Sequence, residues 1–159
     1  MKQIIGVADM KISNNPGDSL MTYSLGSCIG LVVYDSAARV GGILHYMLPE
    51  SNIDKSKAQK NPYMFADTGI PRLFKGAYRF DAKKNRMKIA VFGGAQILDQ
   101  SGFFNIGKRN YMALKKMFFK NKVIIDTEQV GGEVNRTIRL EIKTGEIFVK
   151  TSGGREVKI

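Results

Sequence analysis

The chain has one cysteine, Cys28, and one histidine, His45, among its 159 residues. A single cysteine cannot form an internal disulfide, and it excludes zinc sites built from several cysteines. The Asp and Glu residues are scattered, so no cluster has the spacing of metal ligands. The sequence therefore predicts a protein without a disulfide or a metal site, and one histidine limits the catalytic arrangements that remain.

Long apolar runs are also missing. The longest apolar stretches, residues 28–34 and 40–48, are interrupted well short of the roughly 20 residues that a membrane-spanning helix needs. The N-terminal segment reaches Asp9 and Lys11 before an apolar run of signal-peptide length develops. We therefore expect a soluble, cytoplasmic protein with no membrane insertion.

Acidic residues are few relative to basic ones. The chain carries 25 Lys and Arg against 14 Asp and Glu, a net charge of +11. Such an excess favours a polyanionic or acidic partner. The lysine-rich segments 55–60, 83–88 and 115–122 lack a nucleic-acid recognition motif and interleaved aromatic residues, so we expect solvated surface and no specific nucleic-acid complex.

The length and the apolar patterning predict one α/β domain over residues 1–159, because 43% hydrophobic residues are enough to form a core. Short apolar runs predict single strands at residues 4–8, 20–25, 87–92 and 123–126. Alternation around turns predicts two hairpins, 29–34 with 40–48, buried on both faces, and 137–143 with 146–150.

Helical spacing of apolar residues predicts two helices. The first covers residues 63–80, where Pro71 should kink or restart it, and the second covers residues 106–120. Residues 50–62 and 96–104 are interpreted as loops. This order of elements predicts helices packed on one mixed sheet.

Cys28 follows Gly26 and Ser27 where one predicted strand ends and the next begins. A bend permitted by glycine could hold the thiol both exposed and rigid, as a nucleophile requires. A free cysteine beside Ile29 and Leu31 is also typical of a small buried apolar residue. Both interpretations stay open from Cys28 alone.

His45 lies in the strand that is predicted to pair with the strand after Cys28. The turn at residues 35–39 closes this hairpin, so Cys28 and His45 should meet near its open end. A neighbouring imidazole can take the thiol proton, and we expect a lowered thiol pKa. The alternative is a core histidine bonded to a backbone carbonyl.

A Cys–His pair usually has a third group that orients the imidazole. The candidates are the polar side chains Thr22, Ser24, Ser27 and Asn110. Threonine is also common in strands for its β propensity alone. Gly93 and Gly94 could present N–H groups to an oxyanion, although a tight turn explains such a pair more often.

The motifs in their order resemble a known family. They are LGSC at 25–28, Gly42 with His45, MLP at 47–49, Tyr63 with ADT at 66–68, FGGA at 92–95, NIG at 105–107 with Arg109-Asn110, Gly131-Gly132 with Arg136, and Thr144-Gly145. Together they cover nearly the whole chain, and they are similar to those of the chemoreceptor glutamine deamidases called CheD.

The resemblance implies a bacterial chemotaxis enzyme, a protein-glutamine glutaminase that hydrolyses selected glutamines of methyl-accepting chemoreceptors to glutamate and releases ammonia. It implies a layered α/β/α fold with a mixed sheet, similar to that of deamidating toxins, and no metal or organic cofactor. The catalytic Cys, His and Thr of the family fall on Cys28, His45 and Thr22. CheC phosphatase is an implied partner, and a non-catalytic adaptor that binds receptors and CheC is the alternative function.

Overall fold

The computed structural model describes residues 1–97 and 105–159, so residues 98–104 of the predicted loop lie outside the described residues. The described residues form ten strands: β1 (Lys2–Ile5), β2 (Asp9–Ser13), β3 (Ser19–Leu25), β4 (Ile29–Asp35), β5 (Val40–Tyr46), β6 (Met87–Gly93), β7 (Thr127–Val130), β8 (Arg136–Glu141), β9 (Ile147–Thr151) and β10 (Glu156–Lys158). They also form three α-helices: α1 (Lys55–Lys60), α2 (Ala66–Tyr78) and α3 (Ile106–Lys120).

The strands form two five-stranded sheets. The central sheet has the order β2-β5-β4-β6-β7, and the outer sheet has the order β1-β3-β8-β9-β10. Each sheet has one parallel pair, β6 with β7 and β1 with β3, and its other pairs are antiparallel. Both sheets are therefore mixed.

The predicted hairpin β4–β5 forms the middle of the central sheet, and every residue of both strands is buried. Successive side chains of a strand point to opposite faces. Leu31 and Leu44 pack with α2 and α3 on one face, whereas Val32 and Ile43 pack on the outer sheet on the other. The prediction that this hairpin is buried on both faces is confirmed.

The α/β class with mixed pairing is confirmed, and the structure adds a second sheet. The layers run from the helices to the central sheet and then to the outer sheet. Strand β8 alternates between buried and half-buried residues, so the outer sheet has one apolar face to cover the central sheet. Close contact is possible because Gly30 has no side chain: a Cβ there would lie 2.7 Å from Leu25 Cδ1.

Three predicted strand and loop boundaries are wrong. The strand predicted at residues 4–8 is β1, and a turn separates it from β2, which the apolar pattern did not indicate. The strand predicted at residues 123–126 begins later, as β7. Asp126 lies just before β7, and its carboxylate accepts a hydrogen bond from the Ile89 N–H of β6. The loop predicted at residues 50–62 contains α1, which buries no residue and so leaves no apolar periodicity.

The two longer helices match the prediction closely. Helix α3 has the predicted bounds, and α2 continues through Pro71 without a restart. A proline inside a helix costs about 3 kcal/mol, whereas burying one large apolar side chain contributes about 1.5–3 kcal/mol. Buried Ile70, Leu73 and Phe74 outweigh that cost. Among the described residues, no helix combines the length and hydropathy needed to cross a bilayer.

Candidate active site

Cys28 and His45 lie at the same end of the β4–β5 hairpin. Gly30 pairs with His45 in the strand register, and Cys28 is two residues before Gly30. Residues two apart in an extended chain share a face, so His45 is the diagonal neighbour of Cys28. Cys28 is half-buried and packs against the core between the two sheets.

Thr22 reaches His45 from the outer sheet. Thr22 Oγ1 lies 2.7 Å from His45 Nδ1 and donates a hydrogen bond to the Ile5 carbonyl at 2.8 Å. A hydroxyl has one hydrogen to donate. Because that hydrogen goes to Ile5, Nδ1 of His45 must carry a proton and donate it to Thr22.

The second ring nitrogen of His45 is unprotonated at pH 7, because burial lowers the pKa of His45 to about 4 and a neutral ring carries only one proton. His45 Nε2 is buried and has no hydrogen-bond partner among the described residues, and His45 is only 1% exposed. Its lone pair is available to accept a proton. This geometry gives His45 the tautomer of a general base.

The backbone carbonyls of the Cys28 bend, residues 26–28, are all bonded to neighbouring elements. The three bonds are Ala95 N–H to Gly26 O at 2.8 Å, Asn110 Nδ2 to Ser27 O at 2.9 Å, and Gly94 N–H to Cys28 O at 2.9 Å. Within residues 1–97 and 105–159, no backbone carbonyl accepts the N–H of Ser27 or Cys28. These two N–H groups are therefore the candidates for an oxyanion site next to the thiol.

Gly93 and Gly94 hold the Cys28 bend by close approach of the backbone. Gly93 has a φ of 105°, and a Cβ there would lie 2.1 Å from the Cys28 carbonyl oxygen. The Gly94 N–H donates to that same carbonyl, so it is not available to an oxyanion. The alternative offered for this pair, a tight turn, is closer to its role.

Among the described residues, none of the other candidates for a third group forms a hydrogen bond with the His45 ring. Ser24 is exposed, and its N–H donates to Thr137 Oγ1. Asn110 bonds two backbone carbonyls instead of the imidazole. The Ile5 carbonyl, which fixes the tautomer through Thr22, left no signal in the sequence because any residue can supply a carbonyl.

In the sequence Arg136 stands out only as part of a motif, and the structure places it behind the glycine pair. Its Nη1 donates to the carbonyls of Gly93 at 3.3 Å and Gly131 at 3.0 Å. Burial lowers the pKa of Arg136. Arg136 thus supports the loop that holds Cys28.

Burial makes both groups of the pair neutral at pH 7. It raises the pKa of Cys28 to about 11, although the backbone N–H of Cys28 acts in the opposite direction. Burial also lowers the pKa of His45 to about 4. The expectation of a lowered thiol pKa is therefore wrong, because removal of water from the thiolate outweighs its nearby donor.

We predict slow alkylation of Cys28 at neutral pH. Iodoacetamide reacts with the thiolate, and a pKa of about 11 leaves about 10⁻⁴ of the thiol ionised at pH 7. The rate should rise about tenfold per pH unit toward pH 11. Mass spectrometry reads this rate directly because Cys28 is the only cysteine, and denatured protein is the control. A midpoint below pH 9 would contradict a thiol pKa raised by burial.

We also predict that His45 makes the fold sensitive to acid. Unfolded His45 binds a proton near its ordinary pKa of 6.5, whereas folded His45 stays neutral to about 4. Protonation therefore favours the unfolded chain as the pH falls between these values, which costs about 3 kcal/mol of unfolding free energy. Urea unfolding measures the free energy of unfolding at pH 7 and at pH 4. The decrease between these pH values should be smaller in His45→Asn than in the wild type by that amount. An equal loss in both proteins would contradict a buried neutral imidazole.

Proteins of known family are similar to this chain over most of its length. The family model for CheD chemotactic sensory transduction matches residues 47–151, a span that begins after His45. A protein of Syntrophus aciditrophicus (strain SB) named "Probable chemoreceptor glutamine deamidase CheD 1" is 56% identical over 151 residues, covering 95% of this chain and 94% of that protein. A protein of Solibacter usitatus (strain Ellin6076) named "Probable chemoreceptor glutamine deamidase CheD" is 48% identical over 154 residues, covering 96% of this chain and 91% of that protein.

A solved structure also aligns with this chain. The crystal structure of Neisseria meningitidis protein NMB0706, of the family DUF152, aligns with a TM-score of 0.41 at 8% sequence identity. The alignment covers 81% of this chain and 62% of that protein.

Proposed function

The chain belongs to the CheD family, and on that premise we propose that it is a chemoreceptor glutamine deamidase in which Cys28, His45 and Thr22 perform the chemistry. The reaction converts a glutamine carboxamide to a carboxylate and releases ammonia. One observation supports the assignment of residues most directly. The only histidine presents an unprotonated Nε2, which has no partner among the described residues, on the face of the sheet that carries the only thiol.

The first step forms a thioester. His45 Nε2 takes the Cys28 proton while the sulfur attacks the carboxamide carbon, and the N–H groups of Ser27 and Cys28 stabilise the oxyanion. Proton transfer and C–S bond formation must proceed together, because burial disfavours both the free thiolate and the imidazolium. The same burial makes the imidazolium a strong acid, which protonates the nitrogen of the tetrahedral intermediate, so that the C–N bond breaks, ammonia leaves and the thioester remains.

The second step releases the product. Neutral His45 removes a proton from water, and the resulting hydroxide attacks the thioester carbon. The C–S bond breaks, the sulfur regains its proton from His45, and glutamate leaves. Thr22 keeps the proton on Nδ1 throughout, so that Nε2 is always the nitrogen that exchanges protons.

The proposal extends to location and partners. We propose that the protein acts in the cytoplasm, that its basic surface speeds encounter with acidic receptor helices, and that CheC phosphatase competes with receptors for it. A net charge of +11 supports the electrostatic part. Such attraction should weaken as salt rises.

Mass spectrometry of a receptor cytoplasmic fragment tests the function. Incubation with the protein should add about one dalton per converted glutamine and release one ammonia for each. Receptor incubated without the protein controls for spontaneous deamidation. A receptor that binds the protein but keeps its mass would favour the adaptor function instead.

Loss of the Thr22 hydroxyl should slow turnover less than loss of the nucleophile. Thr22→Val keeps the shape of the side chain but leaves Nδ1 of His45 without its acceptor, so we expect a loss of up to about 100-fold in kcat. Thr137→Val in the outer sheet removes a hydroxyl that does not contact His45, and it is the matched control. The nitrogen shifts of the single histidine should show a mixture of tautomers in Thr22→Val. Unchanged tautomers would contradict the role of Thr22.

A further inference from the structure

The last pair of the β4–β5 ladder leaves a gap in the hairpin next to the site. Ile29 pairs with Tyr46, and beyond them the two chains separate. The N–H groups of Met47 and Leu48 turn away and donate to the Met64 carbonyl at 2.8 and 3.0 Å. The segments that carry Cys28 and follow His45 therefore have no further rung of strand pairing between them.

The side chain of Asn110 fills this gap from α3. Its Nδ2 donates to the Ser27 carbonyl at 2.9 Å and to the Met47 carbonyl at 2.8 Å. Ser27 directly precedes Cys28, and Met47 is two residues after His45. Helix α3 is itself held to β5, because Tyr46 Oη donates to the Asn110 carbonyl at 2.7 Å.

A carboxamide suits this position for a specific reason. It is neutral and offers two N–H groups on one nitrogen, and both face carbonyls here. The two acceptors also decide which end of the amide is the nitrogen. Asn110 is 0% exposed, and its Oδ1 has no partner among the described residues. An unpaired buried oxygen is uncommon, which indicates that the residue is kept for its two donors.

We propose that Asn110 is a positioning residue for the deamidation reaction: its amide bridges Ser27 and Met47 and so fixes the thiol of Cys28 relative to the imidazole of His45. The catalytic part of this inference rests on the proposed function, whereas the bridging part does not. Asn110 touches neither substrate nor the reacting atoms. It acts through the backbone of the two segments that carry them.

The test compares Asn110→Ala with Asn121→Ala. Asn121 lies at the end of the same helix, and its Nδ2 also donates to a carbonyl, that of Met117 at 2.8 Å, far along α3 from Cys28. Asn110→Ala should lower kcat for receptor deamidation about 100-fold, as a displacement of about 1 Å can do, with KM within about twofold. Asn121→Ala should leave both constants unchanged.

Two readouts need no receptor. Loosening the bridge should let water reach the pair, so the alkylation midpoint of Cys28 should move down from about 11 and the NMR midpoint of His45 should move up from about 4. Loss of thermal stability alone would move neither midpoint. Asn110→Ser keeps one donor, so its effects on both midpoints should be intermediate. It replaces Asn110→Ala in these measurements if Asn110→Ala does not fold.

The outcomes separate the two proposals. Midpoints that stay in place, or a higher KM with unchanged kcat, would overturn the positioning role of Asn110. If the midpoints move in Asn110→Ala but the wild type deamidates no receptor, the bridge is supported and the proposed function is overturned. If neither variant folds, the Asn110 side-chain amide of the wild type decides: rapid hydrogen exchange of its two protons would overturn the bridge, and strong protection would support it.

Discussion

Cys28→Ala should lower receptor deamidation by at least about 10⁴-fold, because it removes the atom that forms the thioester. Ammonia release and the mass of the receptor fragment measure this loss. The fold should persist, since Cys28 is half-buried at the edge of the core between the sheets. Ser36→Ala changes an exposed residue in the turn at the opposite end of the same hairpin, and it should keep full activity.

The same variant separates the two function classes. An adaptor would bind receptor and would not depend on the thiol, so Cys28→Ala would behave like the wild type in every assay. Near wild-type turnover in a folded Cys28→Ala protein would also overturn the thioester mechanism. Binding measured alongside turnover identifies which of these holds.

His45→Asn should be about as inactive as Cys28→Ala, a loss of about 10³–10⁴-fold in kcat. Asparagine can place an N–H near the position of Nδ1 and so keep the bond to Thr22, but it offers no lone pair of a base at Nε2. His45→Asn therefore removes the base and keeps most of the packing, whereas His45→Ala would remove both. Ammonia release under saturating receptor gives kcat.

The double variant provides the check on this prediction. Groups that act in one chemical step do not contribute independently, so Cys28→Ala combined with His45→Asn should be no slower than Cys28→Ala alone. An additive further loss would mean that His45 contributes outside the thiol chemistry. Retained turnover in His45→Asn would require a different base.

The parts of the fold that could be predicted were those with a local signal. The β4–β5 hairpin follows from two β-branched apolar runs around a turn, and α3 follows from its periodicity. Strand β2 was missed because its residues are mostly half-buried and alternate weakly. The outer sheet joins strands from distant parts of the chain, a pairing that no local pattern contains.

The candidate site divides in the same way. Cys28 and His45 were identified by residue type and by their places near one end of a hairpin. Thr22 was one of four candidates, and only the resemblance to CheD favoured it. The groups that hold these residues are mostly backbone atoms, such as the Ile5 carbonyl and the Ala95 N–H, which any residue could supply.

The direction of the pKa shifts also lay beyond the sequence. A Cys–His pair in water would favour the ion pair, and residue types alone suggested a lowered thiol pKa. The outer sheet, to which Thr22 belongs, covers His45. The loss of water raises the pKa of Cys28 and lowers the pKa of His45, which is the reverse of what an ion pair would do. Solvation depends on what packs above the pair, which is a property of the whole fold.

The bond between Thr22 and His45 joins the two sheets, and this has a consequence for synthesis of the protein. Thr22 pairs with Ile138 of β8, so its place in the outer sheet depends on a strand that is synthesised long after Cys28 and His45. The nascent chain holds the nucleophile and the base long before the sheet that orients the base can close. Pairing across such a sequence distance is slow to form. We therefore expect Thr22 to hold the His45 ring in its orientation only after β8 has paired with β3.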